Sequence, residues 1–141
     1  MACKADTLLL RWDDAYSVRI SVFDEQHKHL FLLVNRLHAS MEAAASDARM
    51  RQILAELVVY IMTHFEAEEA ALQAFGYPKL SQHIQEHQQL AAAVLDYIKR
   101  YRNRKAGFHT ALLGFLQSWL TKHILGTDQD YSQFLRNHGL Q

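Results

Sequence analysis

The sequence predicts an all-α protein, an up-down-up-down four-helix bundle with an extended N-terminal arm and a short C-terminal helix. Three observations carry that expectation. Apolar residues recur at helical spacing through four long stretches. Helix breakers are scarce, with five glycines and one proline in 141 residues, too few for the many turns of an all-β sandwich. The length suits a single domain spanning 1–141, large enough to bury roughly two thirds of its unfolded surface. With 50% hydrophobic and 21% charged residues, the chain is globular rather than disordered.

The elements follow in order. Residues 1–21 keep no sustained period and read as the arm, in which Trp12, Tyr16, Val18, Ile20 and the adjoining Val22 are available to pack on a core. The bundle and terminal helix then cover about 22–137. From Asp24 to about Ala45, Leu30, Leu33, Val34, Leu37 and Met41 mark one helix. Ser46-Asp47 offers a break and a new N-cap. The second helix, from Ala48 to Phe75, places Ile53, Leu54, Leu57, Val58, Ile61, Phe65 and Leu72 on one stripe. Gly76-Tyr77-Pro78 ends it, glycine serving as the cap. The third helix runs from about Leu80 to Tyr101 through Ile84, Leu90, Ala91, Val94, Leu95 and Ile98. It closes in a basic run, Lys99 to Lys105, which reads as a solvated helix end whose cations suit the negative pole of the dipole; the competing reading is a docking patch for an acidic partner or membrane. Gly107 precedes the fourth helix, roughly Phe108 to Leu125. Gly126-Thr127 is expected to stop it, and Asp128 to cap a terminal helix ending near Asn137.

Charge and composition exclude several functions. Lys plus Arg and Asp plus Glu are 15 each, so no chain-wide basic field for nucleic acid exists. No apolar run reaches the roughly 18 to 20 residues of a membrane span. The single cysteine, Cys3, rules out an intramolecular disulfide framework. With a start too weakly apolar for a signal peptide, it points to the cytoplasm.

Histidine is the anomaly, with nine copies. His64 and Glu68 are four residues apart, about 40° around a helix, so both leave one face. His83 and His87 repeat that spacing. His27 lies near the start of the first helix and His123 near the end of the fourth. On a continuous α-helix Asp128 would point about 140° from His123, but a break at Gly126 lets the chain turn it back. In an up-down-up-down bundle all seven residues fall at one end. So many buried polar groups need common compensation, because each unsatisfied one costs about 1 to 3 kcal/mol; a metal centre supplies it. Five imidazoles and two carboxylates exceed the ligands of a zinc site and suit two first-row metals, iron best among them. With both carboxylates and a solvent oxygen bridging, all but one position around two octahedral metals is filled. One small ligand can enter.

DEQHKHL at 24–30, HFEAEE at 64–69, YPKLSQHIQEH at 77–87 and WLTKHILGTD at 119–128 resemble the hemerythrins, specifically the bacterial single-domain kind, over nearly the whole chain from Trp12 to about Leu135. The resemblance implies two iron ions. His83, His87 and His123 would bind one, His27 and His64 the other, and Glu68, Asp128 and an oxo or hydroxo group would bridge them. It implies reversible dioxygen binding for storage or delivery rather than enzyme activity, with an oxygen-consuming enzyme as a possible recipient. It also implies that Leu30, Phe65 beside His64, and Trp119, Leu120 and Ile124 around His123 wall a dry oxygen pocket, and that Tyr131 supports the site. Two positions depart from the family pattern. Ala71-Leu72 stands where Leu-Met is frequent, which puts packing beside the site in question. Arg19 occupies a place where glycine is usual.

The remaining histidines are not expected to be ligands. His29 faces away, His38 lies about 16 Å further along its helix where a contact with His109 is conceivable, and His138 is terminal. Three rivals use the same residues. A ferritin-like oxidase needs Glu-x-x-His motifs, and no Glu here is followed by His three residues later. The sequence His83-Ile84-Gln85-Glu86-His87 matches the H-x-x-E-H zinc peptidase pattern but leaves His27, His64, His123 and Asp128 unexplained. Nitric oxide or peroxide handling, or oxygen sensing, could use the same di-iron centre. Oligomeric state is not legible.

Overall fold

A computed structural model describes residues 8–102 and 108–141 of the chain. Its elements are a 3-10 turn at Asp14–Tyr16, then α1 (Ser21–Glu42), α2 (Asp47–Ala74), α3 (Leu80–Arg102) and α4 (Phe108–Lys122), a π-helical turn (His123–Asp128) and α5 (Gln129–Asn137). α1 packs on α2 and α4, and α3 packs on α2 and α4, so four antiparallel helices close a ring. This is the predicted bundle. No described helix is long and apolar enough to cross a membrane.

Local chemistry sets the ends. Ser46 accepts from the Arg49 amide at 3.2 Å, capping α2 as its residue type predicts. At the other end Gly76 takes φ +70°. The Tyr77 amide donates to Leu72 and that of Gly76 to Gln73, the six-to-one and five-to-two pattern that a left-handed cap residue permits.

α1 begins three residues before the predicted Asp24, because that carboxylate reaches back to the arm. Asp24 accepts from Ser17 Oγ at 2.6 Å and from the Val18 amide at 2.8 Å. Between them and the helix, Arg19 adopts φ +56°, a left-handed conformation that glycine would take at less cost.

Among the described residues, two apolar clusters form. The larger, with Leu30, Leu57, Phe65, Leu90, Leu116 and Ile124, is the bundle core. The smaller joins Val18, Ile20 and Phe23 to Leu72, Tyr77, Tyr131 and Leu135. Val18 and Ile20 are buried as predicted, but Val22 is half exposed, pointing out from the first turn of α1. Leu95 is also half exposed, in a shallow apolar dent between α2 and α3. At the pair that departs from the family pattern, Leu72 is wholly buried and Ala71, partly buried, packs against the same cluster.

The largest correction concerns residues 123–128. Gly126 does not stop the helix and Asp128 does not cap α5. Backbone turns continue through a π-helical segment, and Asp128 has helical φ −71° and ψ −30° with no side-chain cap bond.

Candidate metal centre

The seven predicted donors lie together at one end of the bundle, between the two apolar clusters, all buried. α1 presents His27, α2 His64 and Glu68, α3 His83 and His87, and the π-turn His123 and Asp128. A π-turn closes its hydrogen bonds between residues five apart. The five-residue spacing that would diverge on an α-helix therefore converges here without any break.

Glu68 and Asp128 each divide their two oxygens between two groups of histidines. Glu68 Oε2 lies 3.2 Å from His27 Nε2 and 3.3 Å from His64 Nε2. Its Oε1 lies 3.3 Å from His83 Nε2 and 3.2 Å from His87 Nε2. Asp128 Oδ2 is 3.2 Å from His27 Nε2, while Oδ1 is 3.1 Å from His123 Nε2 and 3.6 Å from that of His83. One group thus has three histidines and the other two.

These separations test whether cations fit. Two donors about 2.1 Å from a common ion and at right angles to each other lie about 3.0 Å apart, close to what is observed. The orientation of the rings agrees. His64 Nδ1 meets Gln26 Oε1 at 2.6 Å, His87 Nδ1 meets Glu69 Oε1 at 3.0 Å, and His123 Nδ1 meets Glu86 Oε2 at 3.0 Å. Each Nδ1–H donates outward, which leaves the Nε2 lone pair aimed inward. His87 Nε2, His123 Nε2 and both Asp128 oxygens are buried yet make no hydrogen bond to protein; the His123–Asp128 approach is close without hydrogen-bond geometry. The donor set fits a pair of first-row cations.

Without a cation, charge settles inside the cluster. Burial opposes protonation of His27, but Asp128 and Glu68 outweigh it and push its pKa up to about 10. Burial likewise opposes a charged His123, yet Asp128 holds its pKa raised. Burial works against ionised Glu68, and His64, His27 and His83 overcome it, keeping this carboxyl well below its ordinary range. Asp128 is lowered too, where burial and the Glu68 charge are outweighed by His123 and His27.

Tyr131 donates its hydroxyl to Glu68 Oε2 at 2.5 Å. Of the expected pocket residues, Leu30, Phe65, Leu120 and Ile124 are buried in the core cluster, with Trp119 packed against it. Phe65 lies flat on His87, with ring centres 3.7 Å apart and planes at 4°. Its centre is 6.0 Å from that of His64. Trp119 stacks on His123 at 4.2 Å.

The other histidines stand apart. His29 contacts the Tyr60 ring at 4.2 Å, His38 lies 3.6 Å from Glu42, and His138 Nδ1 donates to the Phe134 carbonyl at 2.7 Å. The side chain of His109, and hence the His38–His109 contact, falls outside the described residues, as does most of the basic run; Arg100 pairs with Asp96 at 3.1 Å.

Gln26, Glu69 and Glu86 were not expected from the sequence. Each is adjacent in sequence to a donor. That adjacency is the available signal: one helical step turns a side chain about 100°, from the centre toward a neighbouring element.

Known proteins share this architecture. Residues 18–135 match the family model described as Hemerythrin HHE cation binding domain. The bacteriohemerythrin of Stenotrophomonas maltophilia is 31% identical over 130 residues, covering 92% of this chain and 84% of that protein. That of Methylococcus capsulatus is 30% identical over 128 residues, covering 90% and 97%. A crystal structure of wild-type hemerythrin superposes with a TM-score of 0.81 at 30% identity, over 90% of this chain and 98% of that one. With the donors, their spacing and the fold all in agreement, this chain belongs to the hemerythrin family.

Proposed function

We propose that the protein binds dioxygen reversibly at a non-haem di-iron centre, for oxygen storage or delivery. The observation that carries this reading is the division of Glu68 and Asp128 between a three-histidine and a two-histidine group. His83, His87 and His123 would hold one iron and His27 with His64 the other, bridged by Glu68, Asp128 and an oxo or hydroxo group. When bound, the irons supply the electrons that dioxygen takes up and returns.

The chain's own residues do the rest. The unequal histidine count leaves one side of the pair less saturated than the other, so a small ligand has one place to enter. Leu30, Phe65, Leu120, Ile124 and Trp119 pack around the donors and would shield a bound ligand from water, which preserves it against proton-assisted loss. Tyr131 holds the Glu68 oxygen that faces His27 and His64. An oxygen-consuming enzyme in the cytoplasm would be a fitting recipient.

Purified protein is expected to carry about two irons per chain, and deoxygenation followed by aeration should restore an oxygen-dependent absorption band over repeated cycles. Glu68→Ala should abolish the iron pair, whereas His38→Ala should leave iron content unchanged. A fully folded zinc-only protein with no oxygen response would overturn the assignment. Catalytic consumption of nitric oxide or peroxide with added reductant, and no stable oxygen adduct, would replace storage by that chemistry.

A further inference from the structure

We propose that Glu86 is a positioning residue that locks the π-turn in the one register presenting His123 and Asp128 together. It belongs to α3 and stands next to His87, yet its carboxylate serves the π-turn. Oε2 of Glu86 accepts from His123 Nδ1 at 3.0 Å and from Thr127 Oγ1 at 2.7 Å. A single oxygen from one helix therefore holds the first residue and the last but one of a turn that begins at His123 and finishes at Asp128.

The turn needs an outside grip. A π-helical turn carries one residue more than the α-helical turn it replaces, and such turns are rare and occur mostly as single bulges within α-helices. The surplus residue can sit at any nearby turn unless something fixes it. Local features do not: the residue preceding the segment makes no side-chain cap bond, and a Cβ at Gly126 would meet nothing within 4 Å. Should the surplus residue move along the helix, His123 and Asp128 return to α-helical spacing and diverge by about 140°. Bonds to an ionised carboxylate are about twice as strong as neutral ones, which suits them to holding the rarer geometry.

The same oxygen also fixes His123 chemically. By accepting the hydrogen bond from Nδ1–H it keeps the Nε2 lone pair turned inward toward Asp128 and Glu68. A merely space-filling role is disfavoured, because the Glu86 side chain is 30% exposed and lines an open groove with Trp119, Lys122 and Thr127. This inference rests on His123 and Asp128 being cation ligands, as proposed above.

The test uses Co(II) as the probe on full-length protein stripped of metal, with affinity read by chelator competition. Urea unfolding and amide hydrogen exchange are followed on the same metal-free protein. Glu86→Ala should weaken Co(II) binding about 10- to 100-fold, should lower the urea midpoint of the metal-free protein without changing its slope, and should speed exchange at residues 124–128 but not in α2. Glu86→Gln, whose amide oxygen still accepts from both partners, should recover most of the affinity. Thr127→Val, which removes only the second bond, should cost about fivefold and also speed exchange in the turn. Unchanged Co(II) affinity in Glu86→Ala overturns the proposal, as does a Glu86→Gln variant as impaired as the alanine. If Glu86→Ala does not fold, Thr127→Val decides, and native exchange rates in its π-turn overturn the proposal. Co(II) affinity does not depend on dioxygen, so failure of oxygen binding and failure of the clamp give different results.

Discussion

The hydroxyl of Tyr131 donates to Glu68 from a side chain with no exposed surface. Burial, reinforced by the charges of Glu68 and Asp128, pushes this phenol well above its ordinary value, so it remains a donor throughout the neutral range. Tyr131→Phe leaves the packing nearly unchanged and removes one charge-assisted bond. It should destabilise the metal-free protein by about 1 to 3 kcal/mol in urea unfolding and weaken iron binding about tenfold or more in chelator competition; equal values in both would show the hydroxyl to be silent. At this scale the donors were legible because histidine and carboxylate are costly to bury without partners, so their spacing alone drew attention. Gln26, Glu69 and Glu86 were not legible. Their polarity is ordinary for a helix surface, and which ring each meets depends on the element alongside. The stacking of Phe65 on His87 was not legible for the same reason: adjacency to His64 in sequence says nothing about the ring lying across from it.

Among the described residues, three helices end in the same way, with a residue of positive φ just past the last turn. Gly76 and Gly139 fill that place after α2 and α5, but after α1 it falls to Ala44, at φ +49°. There the Ala45 amide donates to Ser40 and that of Ala44 to Met41. A Cβ is unfavourable in this conformation, so Ala44→Gly should stabilise the protein by about 1 kcal/mol, read as a higher urea midpoint at unchanged slope; a lower midpoint would show that chain entropy outweighs the strain. Helices of this length were readable from periodicity, and Ser46 and Gly76 from cap chemistry. The π-turn was not. Gly126 beside Thr127 looks like punctuation, and only the need to bring His123 and Asp128 together, met by a wider turn rather than a break, decides otherwise.

Across the whole molecule, removing the metal leaves opposite charges facing one another in the interior. His27 is then raised from 6.5 to about 10. A raised histidine contributes stability fully below its unfolded value and loses it as pH climbs through the folded one. The metal-free protein should therefore become less stable between pH 6.5 and 10, while the metal-loaded protein, whose His27 carries no proton, should show a much flatter profile; thermal melts of both forms across that range provide the check, and parallel profiles would contradict it. The bundle itself was the most legible level, since four apolar stripes with short connections admit few other arrangements. Less legible was how the two chain ends meet. Ser132 Oγ donates to the Val18 carbonyl at 2.6 Å and Gln129 Nε2 to that of Ser17 at 3.1 Å, with Ile20, Phe23, Tyr131 and Leu135 packed beneath. The arm and α5, more than a hundred residues apart in sequence, thus knit a roof over the metal-binding end. Owning the seven donors is consequently not the same as owning a sheltered centre: a chain trimmed after Asp128 keeps every one of them and forfeits the covering that makes their environment dry.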